Sequence, residues 1–198
     1  MERRHALPTV VLALLVTAPL AAHDLDEETD EIARLIELAP GIRLADVGAG
    51  DGRFGAEIAH RVGPSGHVYL TEIDDDELDE LRALAERREA GNLTVLAGAE
   101  DDTRLPDGCC DAVLLRYVVH HMGDPAAMHA SVRRSLKTSG RLLVIEKTEP
   151  GDGIAEDDLI DAVTRAGFRV VSRHPDWGGH DGHYAVLFRV EATGGGER

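Results

Sequence analysis

The sequence predicts an α/β fold built on a doubly wound, mostly parallel sheet, and three observations carry that expectation. An apolar strand runs straight into a glycine-rich turn and a helix at Ile42–Gly55, I-R-L-A-D-V-G-A-G-D-G-R-F-G. Two further strand-like runs, Val68–Ile73 and Leu93–Leu96, are separated by a helical stretch, so strand and helix alternate over short connections. That alternation lays strands parallel and puts helices on both faces. Glu72, near the end of the second strand, lies 24 positions beyond Gly48. Nucleotide-binding α/β folds place a ribose-binding acid at about this interval.

The elements follow in order. Asp26–Leu38 carries Ile32, Leu35, Ile36 and Leu38 on one helical face and stops at Pro40-Gly41. Ile42, Leu44 and Val47 give a strand buried on both faces, with Asp46 at its end. Gly48, Gly50 and Gly52 turn the chain, and a helix with Phe54, Ile58 and Val62 on one face resumes at Arg53. Glycines let a backbone approach a ligand closely, and the helix start offers unpaired N–H groups. Gly63-Pro64-Ser65-Gly66 ends that helix. After the second strand, Asp74-Asp75-Asp76 reads as negative charge at the start of the Leu78–Leu81–Leu84 helix, not as a metal site. Pro125–Leu136 is a helix capped by Asp124 with proline in its first turn. A turn at Lys137–Gly140 precedes a fifth strand, Leu142–Ile145, with Glu146 at its end. A helix over Ala155–Ala166 and strands at Phe168–Val171 and Tyr184–Val190 complete the chain, leaving Gly194–Arg198 as a disordered tail.

A length of 198 residues suits one domain with a sizeable core. The net charge of −16 argues against a nucleic-acid partner, which would require a basic face. Cys109 and Cys110 are adjacent and cannot staple distant segments; they read as small residues entering a buried strand, with paired thiols as the alternative. Arg3 and Arg4 precede the apolar stretch Ala6–Ala22, the layout of a secretory signal peptide ending near Ala22. An uncleaved tether through residues 6–22, facing outward from the inner membrane, is the alternative; either reading puts residues 23–193 outside the cytoplasm, as a periplasmic or exported domain, and a stretch that does not act as a signal leaves them cytoplasmic.

The glycines admit two registers. Gly50–Gly55 satisfies the dinucleotide fingerprint G-x-G-x-x-G, whereas counting from Gly48, the glycine next to the strand, gives D-V-G-A-G-D-G. The second register resembles the first motif of class I S-adenosylmethionine (SAM)-dependent methyltransferases. The loop after the third strand strengthens the likeness with Gly98-Ala99-Glu100, Leu105-Pro106-Asp107-Gly108, Asp111-Ala112-Val113, His120-His121 and Asp124-Pro125. The chain is similar over about residues 40 to 190, and with its leader it resembles the signal-peptide-bearing bacterial branch of the small-molecule enzymes. The resemblance implies a Rossmann-like sheet of order 3-2-1-4-5-7-6 with the last strand antiparallel. It implies SAM as cofactor: Asp46, Gly48, Ala49, Gly50 and Gly52 at the methionine end, Glu72 at the ribose, and Ile73, Ala99 and Glu100 at the adenine, with Arg116 also on the cofactor side. Relatives often have an aspartate where Ala99 stands, so Glu100 or Asp101 takes that contact.

Methyl transfer requires an aligned nucleophile and the exclusion of water, and a base only when the acceptor arrives protonated. His120 and His121, after the fourth strand, are the first candidate catalytic residues, followed by Glu146 at the end of the fifth strand and by Tyr117. His174, His180 and His183 lie in a glycine-rich loop without the fixed spacing that presets metal ligands, so no metal is expected and the loop reads as a lid anchored by Trp177. The acceptor is expected to be a small molecule. A noncatalytic nucleoside-binding protein and a nicotinamide oxidoreductase are the alternatives.

Overall fold

The computed structural model describes residues 20–87 and 91–191. The tail beyond Gly194 and the leader up to residue 19 lie outside the described residues. The first helix, α1 (Leu20–Leu35), includes the expected cleavage point at Ala22. Among the described residues, no helix is long and apolar enough to cross a membrane.

Seven strands form one sheet: β1 (Arg43–Val47), β2 (His67–Glu72), β3 (Leu93–Ala97), β4 (Cys110–Arg116), β5 (Leu136–Lys147), β6 (Phe168–Pro175) and β7 (His183–Val190). Their order is β3-β2-β1-β4-β5-β7-β6, parallel except that β7 runs antiparallel to both β5 and β6. This is the order expected. Helices α2 (Arg53–Val62), α3 (Asp75–Arg87), α4 (Pro125–Ser135) and α5 (Glu156–Arg165) make the crossovers.

The core lies in two layers because successive strand residues face opposite ways. Leu44, Leu114 and Leu143 point toward Ile32, Phe54 and Ile58 of α1 and α2. Ala45, Val113 and Leu142 point toward Met128, Val132, Leu159 and Val163 of α4 and α5. In register, Val47 of β1 stands beside Thr71 of β2 and Leu115 of β4, so the strands end together along one edge of the sheet.

Two local readings change. The turn expected at Lys137–Gly140 is absorbed into β5, whose pairing with β4 jumps from Cys110↔Leu136 to Ala112↔Arg141. The four residues between bulge out of the ladder, and Lys137 Nζ is held by Asp111 Oδ1 at 2.7 Å. Cys109 and Cys110 are buried as expected, but their sulfurs are joined to each other as a disulfide. The cap of α4 is as expected, with the Ala127 N–H donating to Asp124 Oδ1 at 3.0 Å.

Gly52 is fixed by packing. It has φ +70°, and a Cβ there would lie 2.4 Å from Leu81 Cδ2 and 2.9 Å from Leu84 Cδ2. Gly52→Ala should therefore destabilise the fold by roughly 2–4 kcal/mol, from left-handed strain plus overpacking. A urea midpoint equal to that of the wild type would contradict this close approach of α3.

Candidate active site

The glycine turn and the end of β2 hold each other in place. The N–H groups of Gly48 and Ala49 both donate to the Thr71 carbonyl, at 2.9 and 3.0 Å. The Gly50 N–H donates to Glu72 Oε2 at 3.1 Å, and the Ile73 N–H to Glu72 Oε1 at 2.7 Å. Each carboxylate oxygen thus uses one lone pair on backbone and keeps another for a ligand. The Glu72 side chain is thereby aimed across the tip of β1.

A cavity of about 480 Å³ opens there, within the range of small-molecule sites. Its walls include Gly48, Gly50, Glu72, Ile73, Ala99, Glu100 and His121, all seven of them anticipated from the sequence. Ile73 is 57% exposed, an apolar side chain left uncovered beside the Glu72 carboxylate. Glu100 lines the cavity and Asp101 does not, which separates the two adenine-side candidates by position. Thr71, Tyr117, Val118, Met122 and Met128 also contribute; the methionines carried no sequence signal apart from an ordinary apolar pattern. The charged residues in the wall are Glu72, Glu77, Glu100 and Asp102. Partial burial, with Glu72, Glu80, Asp74 and Asp51 nearby, holds the Glu77 carboxyl above its ordinary value. An acidic wall suits a ligand with positive charge and repels a pyrophosphate.

Four residues expected at the cofactor do not line this cavity: Asp46, Ala49, Gly52 and Arg116. Ala49 is buried in the turn and Gly52 is packed under α3. Arg116 lies 5.8 Å over the Phe54 ring and pairs with Glu28 of α1 at 3.5 Å. Asp46 is 3% exposed beneath the turn. Burial raises its pKa to about 7, opposed by Arg116 and reinforced by Glu72 and Asp51.

The unfolded chain releases this proton near the ordinary value, so the stability linked to Asp46 is full below about pH 4 and is lost as pH rises through about 7. Asp46→Asn should accordingly stabilise the protein at pH 8, by up to roughly 4 kcal/mol, and by progressively less toward pH 4. Denaturant melts of the two proteins across that range check the trend; a gain independent of pH would remove the assignment.

On the other side of the cavity, Glu146 is 0% exposed. Its Oε1 accepts the Val119 and His120 N–H groups, at 2.7 and 3.4 Å, and its Oε2 meets His120 Nδ1 at 2.8 Å. It does not line this cavity. Its place is to fix the turn that carries the two histidines. His121 lines both the larger cavity and a smaller one of about 290 Å³, which it shares with Tyr117, His120, Lys147, Asp152 and His183. Tyr117 has φ +54°, an uncommon backbone for a bulky residue and a mark of sites where surrounding structure enforces strain. Its hydroxyl lies 3.0 Å from His183 Nδ1, and burial pushes its pKa up to about 12.

The histidine-rich loop does not gather into one centre. His174 Nε2 lies 2.8 Å from Ser172 Oγ, while His183 belongs with Tyr117. Trp177 is buried, and its Nε1–H donates to Glu28 Oε1 at 3.0 Å, anchoring the loop to α1. Between this loop and α1 runs a cleft of about 600 Å³ that also reaches Tyr117.

A family model described as a methyltransferase domain matches residues 38–177. The chain is 31% identical over 112 residues to the ubiquinone/menaquinone biosynthesis C-methyltransferase UbiE of Shewanella sp. (strain ANA-3), covering 56% of this chain and 45% of that protein. It therefore spans less than half the length of this relative. Among solved structures, a SAM-dependent methyltransferase from Aquifex aeolicus superposes with a TM-score of 0.72 at 21% identity, covering 82% of this chain and 89% of that one. The 1,6-didemethyltoxoflavin-N1-methyltransferase of Burkholderia thailandensis, solved with bound 1,6-didemethyltoxoflavin and S-adenosylhomocysteine, gives 0.68 at 17% identity, covering 85% of this chain and 78% of that one. At these identities the two structures establish a common fold.

Proposed function

The chain belongs to the methyltransferase-domain family, and from that premise we propose that it transfers a methyl group from SAM to a small-molecule acceptor. The observation that carries this reading is the Glu72 carboxylate, latched by two backbone N–H groups and facing the cavity beside the exposed Ile73. The residues fit the cofactor. Glu72 has a lone pair left on each oxygen, enough to accept from both hydroxyls of a ribose. Ile73, with Ala99 and Glu100 opposite, offers an apolar face and a polar edge for an adenine. The acidic wall favours a sulfonium and disfavours the pyrophosphate of a nicotinamide dinucleotide.

When bound, SAM supplies an electrophilic methyl carbon. The protein holds the nucleophile in line with it and excludes water. His121 lies in the wall common to the two cavities, so the acceptor's reacting end is placed at His121 and His120. Glu146 acts through His120 as a positioning residue. The acceptor enters by the cleft under the Trp177 loop, next to Tyr117. We also retain export as a proposal, supported by Arg3, Arg4 and the apolar run to Ala22.

Calorimetry with SAM, S-adenosylhomocysteine and NAD on the purified protein tests the cofactor reading. Binding of both adenosyl ligands and none of NAD is expected; binding of NAD alone would overturn it. Transfer of label from methyl-labelled SAM to a panel of phenols, amines and thiols then separates an enzyme from a silent binder. An alkaline-phosphatase fusion after Ala22 tests export: an inactive fusion in the periplasmic assay rejects it.

A further inference from the structure

We propose that His120, His121 and Asp152 form a binding site for one divalent transition-metal ion in the wall of the smaller cavity. One donor atom from each of the three lies within 4.8 Å of the others. His120 Nε2 is 3.5 Å from Asp152 Oδ1, and the two imidazole rings are 4.0 Å apart between centroids. Small side-chain adjustments bring such a set to the separations of donors about 2.1 Å from a common ion.

The orientation of His120 is the stronger argument. Its side chain is 6% exposed, and Nδ1 faces the fully buried Glu146 at 2.8 Å. That carboxylate also accepts the backbone N–H groups of Val119, His120 and Lys147, so it is placed to accept from Nδ1 as well and to leave Nε2 for an ion. Nε2 is the nitrogen that faces Asp152 and the cavity, where an ion would displace any proton it carries. A carboxylate holding the far nitrogen of a histidine is the outer shell that metal-binding imidazoles use to fix tautomer and raise basicity. A hydrogen-bonded core histidine does not require its second nitrogen to face an exposed carboxylate and another imidazole.

The donor set indicates the type of ion. Two imidazoles and one carboxylate select a transition ion such as Zn²⁺ over Mg²⁺ or Ca²⁺, which prefer all-oxygen shells. Three protein ligands leave at least one position open to the cavity. Lys147 Nζ, now 2.5 Å from Asp152 Oδ2, keeps Glu149 at 3.2 Å as a partner once the ion takes Asp152. The purpose of the ion rests on the methyltransferase reading: an oxygen acceptor, a phenol or enol, would meet the open position and lose its proton to bulk water, and its oxygen would then take the methyl group as S-adenosylhomocysteine leaves. The binding site itself does not depend on that reading.

The test uses the full-length protein stripped with EDTA and titrated with Zn²⁺, with Co²⁺ as the spectroscopic probe. One equivalent of Zn²⁺ should bind, and the Co²⁺ form should show d–d absorption of a low-coordinate N/O site. Asp152→Asn and His121→Ala, both at exposed positions, should each weaken Zn²⁺ at least tenfold, and Glu146→Gln tenfold or more through His120. His180→Ala should leave the affinity unchanged. Absence of stoichiometric binding, wild-type affinity in both Asp152→Asn and His121→Ala, or loss confined to His180→Ala would overturn the proposal. A parallel titration with S-adenosylhomocysteine keeps the two readings apart, since metal binding without nucleoside binding refutes only the cofactor assignment.

Discussion

Replacing Glu72 by alanine should weaken binding of S-adenosylhomocysteine by a factor of about 150 to 20,000. Two hydrogen bonds to a carboxylate are lost, each contributing about 1.5–3 kcal/mol when made to a charged group. The same change frees the Gly50 and Ile73 N–H groups that the carboxylate now accepts, so the turn loses its tie to β2. Glu72→Gln separates the two effects. It keeps one acceptor oxygen and the shape of the latch, and should fall between wild type and alanine. Calorimetry on the three proteins decides the matter, with circular dichroism to confirm folding. Equal affinity in wild type and the alanine variant would remove the nucleoside from this cavity.

The second large effect concerns stability. His129 on α4 is 0% exposed, and among the described residues neither of its ring nitrogens has a hydrogen-bond partner. Burial pushes its pKa down to about 4. Below its ordinary value of 6.5 the unfolded chain takes up a proton that the folded chain refuses. Stability linked to His129 is therefore full above about pH 6.5 and is lost as pH falls toward 4, by roughly 3 kcal/mol in all. Asp46 has the opposite slope over nearly the same interval, so in the wild type these two contributions largely cancel. His129→Leu should raise stability at acidic pH and expose the Asp46 slope, with stability falling from pH 4 to 7. Denaturant melts at several pH values check this. A variant whose profile parallels that of the wild type would show that the histidine is not held neutral.

Much of this molecule could be read from its residues. The glycine turn between strand and helix, the acid at Glu72 and the uncovered Ile73 are local features, and their spacing placed them at one sheet edge. Which residues face the cavity was less legible. Asp46, Ala49, Gly52 and Arg116 lie within a few residues of the cavity along their strands or turn, but packing decides which of them face it. Leu81 and Leu84 come from another element and close off Gly52; Glu28, far away in the chain, draws Arg116 aside. The sequence put His120 and His121 ahead of Glu146, with no view of how the three are packed. Only the fold shows Glu146 enclosed behind His120. Asp152 stands in a short acidic, glycine-rich loop with no pattern of its own, and only the return of the chain after β5 brings it near the histidines.

Tyr117 has a consequence for how the two reactants meet. Tyr117 forms part of the boundary of three hollows at this edge of the sheet, the two cavities and the cleft under the Trp177 loop. A partition common to three chambers cannot move for one occupant without altering the space offered to the others. On the proposed methyl-transfer reading, donor and acceptor should thus bind interdependently, each changing the other's dissociation constant by the same factor.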